Sequence, residues 1–287
     1  FENIPVPTVP ALAQRLPVLP GSASPEAAQD RLAEKRMISG LGIPVAPFAE
    51  VSRQADIYSA LARTGRPAIL KTRRLGYDGK GQAVIRGGDD PVAAWRAIGE
   101  SPAILEAFVP FEREVSVIIA RGRDGATRAF DVTENVHESG ILATSTVPAT
   151  IPPDIAEEAV SIAVRIADAV GHVGVLAVEM FVTAGGTRPR LIVNEIAPRV
   201  HNSGHWTGDA AACSQFEQHV RAIAGWPLGE VTRHGDAVMT NLIGADVEAW
   251  QGLLGEPDVR LHLYGKAQAR PGRKMGHYTR VRPLGGA

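Results

Sequence analysis

The chain has almost no cysteine: Cys213 stands alone among 287 residues. That excludes an internal disulfide framework and fits a reducing, cytoplasmic setting. Neither sign of charge prevails, since 30 Lys and Arg face 31 Asp and Glu for a net charge of -1. Such a balance gives no global attraction to nucleic acid or to an anionic membrane, so any phosphate must be gripped by a local cluster. Aromatic residues are scarce, at 5%, and none interleaves the cationic stretch near the carboxyl end as in single-strand nucleic-acid readers. No apolar run approaches the ~20 residues that cross a bilayer, and no signal-peptide pattern opens the chain. Also missing is the G-x-x-x-x-G-K-[ST] phosphate loop. A soluble chain of this length, without nucleic-acid or membrane partners, has ample room for one large domain or several small ones.

The stretch that organises the rest is Leu191 to Trp206, LIVNEIAPRVHNSGHW. It reads as an apolar strand carrying Glu195, followed by a loop crowded with Arg199, His201, Asn202, Ser203 and His205. Its expected partner is Val175 to Phe181, VLAVEMF, interrupted only by Glu179. The turn signal Ala184-Gly185-Gly186-Thr187 lies between them, so the two runs predict a β-hairpin. With the turn centred near Thr187, antiparallel pairing sets Glu179 opposite Glu195. Facing carboxylates repel one another. A pair of surface acids answered by Arg188 and Arg190 is one reading. The other follows from the apolar neighbours on both strand faces, because two buried acids require a cation between them. Oxygen ligands from two acids, with Asn202 close by, suit a hard ion such as Mg²⁺ that takes substrate phosphates as further ligands.

Around this centre, Ser24-Pro25 predicts the cap and first turn of a helix reaching about Ser39. Arg31 and Lys35 share one face of it and, taken alone, read as solvated charges. Ala68 to Lys71 predicts a strand, and Arg73 to Gln82 follows with three glycines in six residues, free to fold backbone N–H groups around an anion. Asp131 to Thr146, with Asn135, His137 and Glu138, reads equally as an exposed turn or as part of a site. Pro152-Pro153-Asp154 opens a long one-faced helix reaching Val170. Lys266, Arg270, Arg273 and Lys274 put four cations into nine residues, either a solvated loop or a local anion trap.

An acid on one strand and N-E-x-x-x-R-x-H-N-S-G-H-W on the next resemble the metal and phosphate end of the ATP-grasp superfamily. The HNSGHW version, together with R-P-G-R-K-M-G-H at Arg270 to His277, is similar to the 5-(carboxyamino)imidazole ribonucleotide synthetases. The resemblance implies an α/β (α+β) ATP-grasp fold, in which two subdomains grip ATP. It also implies ATP- and bicarbonate-dependent carboxylation of 5-aminoimidazole ribonucleotide through carboxyphosphate, in purine biosynthesis, by a Mg²⁺-dependent homodimer. By the same resemblance Arg31 and Lys71 reach the ATP phosphates, Glu106 the adenine edge and Glu114 the ribose. Glu179 and Glu195 hold the metal, and Arg199, His201 and Asn202 cradle bicarbonate or the intermediate, with His201 or a nearby group the best candidate for moving protons. Tyr77, Arg121, Lys266, Arg273 and Lys274 serve the acceptor, and Lys266 also lies close to the carboxylating centre. The rival expectations are a formate-dependent glycinamide ribonucleotide transformylase, whose loop tends to carry Asp-Thr-Gly where this chain has Asn202-Ser203-Gly204, and a non-catalytic nucleotide-binding fragment.

The expected division is a linker over 1–23, a helical start over 24–66, a small lid subdomain over 67–108, a large subdomain with the metal site over 109–245 and a carboxy-terminal segment over 246–287. Relatives usually begin with a dinucleotide-fold-like domain. Because the chain opens at Phe1 without its Gly-rich turn, most of that domain is expected to be absent.

Overall fold

The computed structural model describes residues 8–76, 81–184 and 190–285. Two antiparallel sheets carry the chain. The smaller has the order β1-β4-β2-β3, from β1 (Phe48–Val51), β2 (Ala68–Thr72), β3 (Gln82–Ile85) and β4 (Ala103–Ala107). Helices Asp56–Thr64 and Pro91–Ala97 pack their apolar sides on it, closing a core of Val51, Ile57, Leu70, Trp95 and Leu105. The small body thus starts before residue 67. β1 and helix Asp56–Thr64, expected in a separate helical stretch, belong to it, because Phe48–Val51 pairs along β4.

The larger sheet runs β10-β9-β5-β7-β8-β11-β13-β12, with β6 beside β5. Its strands are β5 (Arg113–Arg121), β6 (Thr127–Ala129), β7 (Thr133–Glu138), β8 (Ile141–Val147), β9 (Gly174–Thr183), β10 (Arg190–Ala197), β11 (Asp236–Ile243), β12 (Val259–Leu263) and β13 (Lys274–Arg282). One face is apolar, because alternate residues of β5, β9 and β10 meet Ile155, Ile162 and Ile166 of helix Pro153–Ala169 in one core. The other face carries Glu114 and Ser116 of β5 beside Phe181 and Glu179 of β9. β13 of the carboxy-terminal segment pairs with β11 along nearly its whole length. The stretch 131–146, open between turn and site, forms β7 and most of β8.

The helix expected from Ser24 to Ser39 is two helices, Ala23–Ala28 and Arg31–Gly40. Asp30 breaks it by capping the second, accepting from the N–H groups of Leu32 and Ala33. Its carboxylate also takes Arg73 at 2.7 Å, and these donors hold its pKa below the ordinary range although burial alone would raise it. Ser24 is not a cap: it is buried and bonded to His172 Nδ1 at 3.0 Å.

His172 donates from Nε2 to the Val175 carbonyl at 2.9 Å, and burial pushes its pKa from 6.5 down to about 4. The unfolded chain therefore binds the extra proton between these values. This contribution to stability is complete above pH ~6.5 and falls as pH drops toward ~4. At ~1.4 kcal/mol per pH unit the loss across the window is about 3 kcal/mol. Urea unfolding at pH 7.5 and pH 4.5 is expected to show a smaller pH-dependent loss in His172→Gln than in the parent protein.

Candidate active site

In the hairpin, Leu191 pairs with Val182 and Val193 with Met180, but Glu195 pairs with Glu179. The register shifts by one residue at Asn194, a β-bulge. Side chains alternate along a strand, so continuing the Val193–Met180 register would turn Glu195 to the helix-covered face, opposite Val178. The bulge brings both carboxylates to one face. Burial first, and the charge of Glu195 second, push Glu179 up to about 8, with His137 and Lys274 pulling the other way. Two clustered carboxylates that oppose each other's ionisation form an oxygen-only donor set fitted to a hard divalent cation.

The loop after β10 is held over this pair by buried polar contacts. Ser203 meets Ser116 at 2.8 Å, Asn135 donates to Ser116 at 2.9 Å, and Ser145 donates to Asn135 at 2.8 Å. Gln215, fully buried at the head of helix Gln215–Ala224, accepts from His201 N–H at 2.9 Å and donates to the His201 carbonyl at 2.8 Å. A Cβ on Gly204 would lie 2.8 Å from Gln215 Oε1 and 2.9 Å from Ile118 Cγ1, so a side chain there would displace the clamp. Trp206 plugs beneath, its ring edge-on to Phe130 and its Nε1 donating to Thr133 at 3.0 Å. Held this way, His201 presents Nε2 to Glu179 at 3.1 Å and keeps Nδ1 against Ser203 at 2.9 Å. Burial, then the nearby cations Arg199 and Lys274, lower its pKa to about 3.

On the same face His137 meets Glu114 at 2.5 Å. Burial lowers its pKa, but Glu114, with the fields of Glu179 and Glu195 behind it, outweighs that and raises it. Facing the site from the small sheet, Lys71 donates to Glu106 at 2.9 Å, and Lys35 lies 3.8 Å from the same oxygen. The second oxygen of Glu106 is buried and accepts no hydrogen bond among the described residues. Arg31 donates to the carbonyls of Thr72 at 3.0 Å and Gly76 at 2.9 Å, where the Gly-rich segment begins. Tyr77 lies outside the described residues.

Lys266 donates to the Lys274 carbonyl at 2.6 Å. Arg273 donates to the Gln268 carbonyl at 3.1 Å. Lys274 bears electrostatically on Glu179, His201 and His205, which ties the cationic segment to the acidic pair. Asn202 faces Asn241 of β11 in a reciprocal amide pair, donating at 3.1 Å and accepting at 2.5 Å.

Two domain families match this arrangement: the ATP-grasp domain over residues 36–216 and the phosphoribosylaminoimidazole carboxylase C-terminal domain over residues 237–283. An N5-carboxyaminoimidazole ribonucleotide synthase of Brucella melitensis is 53% identical over 99% of this chain and 78% of its own length. The chain belongs to the N5-carboxyaminoimidazole ribonucleotide synthase family. It is an ATP-grasp ligase of purine biosynthesis. The synthase of Pseudomonas aeruginosa is 48% identical over 97% of the chain and 75% of its own length. Among solved structures, the ADP complex of an N5-carboxyaminoimidazole ribonucleotide synthetase superposes with a TM-score of 0.93 at 42% identity, covering 98% of this chain and 74% of that one. A synthase from Aspergillus clavatus, in complex with ADP and 5-aminoimidazole ribonucleotide, superposes at 0.91 with 28% identity over 99% of this chain and 76% of that one.

The ligase places one expected site residue elsewhere. Arg121, assigned to the acceptor, closes the far end of β5, donating to Asp168 at 2.7 Å and to the His172 carbonyl at 3.1 Å. Ser116 is the β5 residue paired with Glu179, and five residues of strand put Arg121 roughly 17 Å farther along. It anchors helix Pro153–Ala169. Arg121→Gln is accordingly expected to leave kcat/KM within about threefold of the parent value, as read by ADP release. Sequence reasoning missed two residues in the opposite sense. His137 stood between turn and site, and its place on β7, two positions from Asn135, was the available signal. Lys35 read as solvated, yet is 1% exposed.

Proposed function

We propose that this ligase uses ATP and bicarbonate to carboxylate 5-aminoimidazole ribonucleotide, with Mg²⁺ held by Glu179 and Glu195. The observation that carries the metal assignment is the bulge that sets these two acids face to face. Bicarbonate is a poor electrophile, so one of its oxygens must become a leaving group. It attacks the γ-phosphorus, the bond to ADP breaks, and carboxyphosphate forms. The exocyclic amine of the ribonucleotide then bonds to the carboxyl carbon as the bond to phosphate breaks, and the amine loses a proton. Mg²⁺, when bound, neutralises the β- and γ-phosphate oxygens.

Around it Lys71 and Arg31 bind phosphate, since ammonium and guanidinium groups aimed at developing charge lower the barrier most in a dry site. Glu106, through its free buried oxygen, accepts from the adenine edge, and Glu114 takes the ribose. Arg199, His201 and Asn202 cradle bicarbonate or the intermediate, and His201 or a group beside it moves the proton. Tyr77, Lys266, Arg273 and Lys274 bind the acceptor, the cations at its phosphate. The name of the Aspergillus complex supports this acceptor. A cytoplasmic homodimer completes the proposal, on family resemblance. The domain division that accompanies it is a lid subdomain built on the small sheet, a large subdomain with the metal site, and a carboxy-terminal segment on β12 and β13.

ADP release is expected with 5-aminoimidazole ribonucleotide and bicarbonate together, and to fall to background when bicarbonate is replaced by formate. Equal rates with formate and glycinamide ribonucleotide would overturn this in favour of the transformylase. The Asn202-Ser203-Gly204 loop argues against that outcome.

A further inference from the structure

Glu34 and Lys35, neighbours on helix Arg31–Gly40, take no part in the chemistry above, yet they are only 2% and 1% exposed. A carboxyl and an ammonium buried side by side are costly unless their hydrogen-bonding capacity is used. Both spend it on one short piece of backbone. Lys35 Nζ donates to the carbonyls of Val193 at 3.3 Å and Asn194 at 2.5 Å. Glu34 Oε1 accepts from the N–H of Ile196 at 2.5 Å. These backbone groups bracket Glu195 and the bulge residue Asn194. Because β10 is the outermost strand of its sheet, groups on its outer side have no ladder partner, and the helix supplies one for each. Pro44 adds a third tie, accepting from Val193 N–H at 2.9 Å.

We propose that Glu34 and Lys35 are positioning residues: they fix the Asn194 bulge in β10 and thereby hold Glu195 on the face it shares with Glu179, so that the pair can bind a divalent cation. A strand freed from them can recover its unbulged register, in which Glu195 points to the opposite face and the donor set is lost. Lys35 is also 3.8 Å from Glu106, which pairs with Lys71 at 2.9 Å. One ammonium therefore joins the metal-side backbone to the nucleotide-side ion pair. The inference rests on the reading of Glu179 and Glu195 as metal ligands.

The test is direct Mn²⁺ binding to the full chain in the presence of ADP, followed by the electron paramagnetic resonance signal of free Mn²⁺. ADP affinity in EDTA is measured alongside, and circular dichroism establishes that each variant is folded. Glu34→Leu and Lys35→Met are expected to weaken Mn²⁺ binding at least tenfold, with ADP affinity in EDTA changing less than threefold in Glu34→Leu, which leaves the contact of Lys35 with Glu106 in place. Glu34→Gln, which keeps an acceptor for Ile196, is expected to stay near the parent affinity. If Lys35→Met does not fold, Glu34→Leu against Glu34→Gln decides alone. Folded Leu and Met variants with parental Mn²⁺ affinity would overturn the proposal, as would equal losses of Mn²⁺ and ADP in Glu34→Leu, which mark a general packing role. Glu195→Gln separates the two readings. Its loss of Mn²⁺ binding beside unaffected Glu34 and Lys35 variants defeats only the positioning role, whereas its retention of Mn²⁺ defeats the metal assignment.

Discussion

Glu195→Gln is expected to lower ATP turnover by on the order of 10³-fold, the scale on which positioned charge at a transferring phosphoryl group acts. The melting temperature should stay equal to the parent's or rise. Without a metal the two acids oppose each other: burial first, and then the charge of Glu195, raise the pKa of Glu179. An amide at 195 removes one charge from that repulsion and keeps the side-chain shape. The signature is therefore opposite in sign for activity and stability. Steady-state ADP release with saturating Mg²⁺ and a thermal melt without metal check it together. A variant that keeps turnover within tenfold of the parent contradicts the assignment.

The second large effect is on the scaffold. Trp206→Ala is expected to cost about 3–5 kcal/mol, the usual range for emptying a buried aromatic site, because Trp206 is fully buried against Phe130 and its Nε1 satisfies Thr133. At roughly 2–4 °C per kcal/mol for a chain of this size class, the melting temperature should fall by about 10 °C. Thr133 would lose a donor in a buried setting, and the segment from His201 to Gln215 would lose its plug. Turnover should fall as well, even well below the new melting temperature. Trp206→Phe, which keeps most of the volume but not the N–H, should lie between the two in both measurements.

Much of this architecture is legible in the sequence because it depends on local pattern. The long helix after Pro152-Pro153 declares itself by its spacing, and the two acids in apolar runs declare a shared carboxylate face. The pairing of Glu179 with Glu195 follows from a turn placed at Thr187, but the structure reaches it by another route. The ladder from Leu191 to Val193 has a different register, and one bulged residue corrects it. Nothing in NEIAP marks Asn194 as that residue, because the bulge is stabilised from a distant helix. Lys35 misleads for the same reason. Helical spacing puts it beside Arg31 on what resembles a charged surface, and only tertiary packing shows that the helix lies against an edge strand with backbone groups to satisfy. Arg121 fails in reverse: the family resemblance assigned it to the acceptor, but strand length carries it away to Asp168. His137 needed the β7 pairing to bring it to Glu114. Local propensity and periodicity were visible; contacts between residues far apart in sequence were not.

Anomalous diffraction from crystals grown with MnCl₂ and a non-hydrolysable ATP analogue, with data collected at the manganese edge, decides whether the two acids hold the cation. The expected result is a peak bonded to carboxylate oxygens of both Glu179 and Glu195 and to phosphate oxygens of the nucleotide. Manganese bound elsewhere on the phosphates, with Glu179 still turned to His201 and Glu195 making no contact, would contradict it.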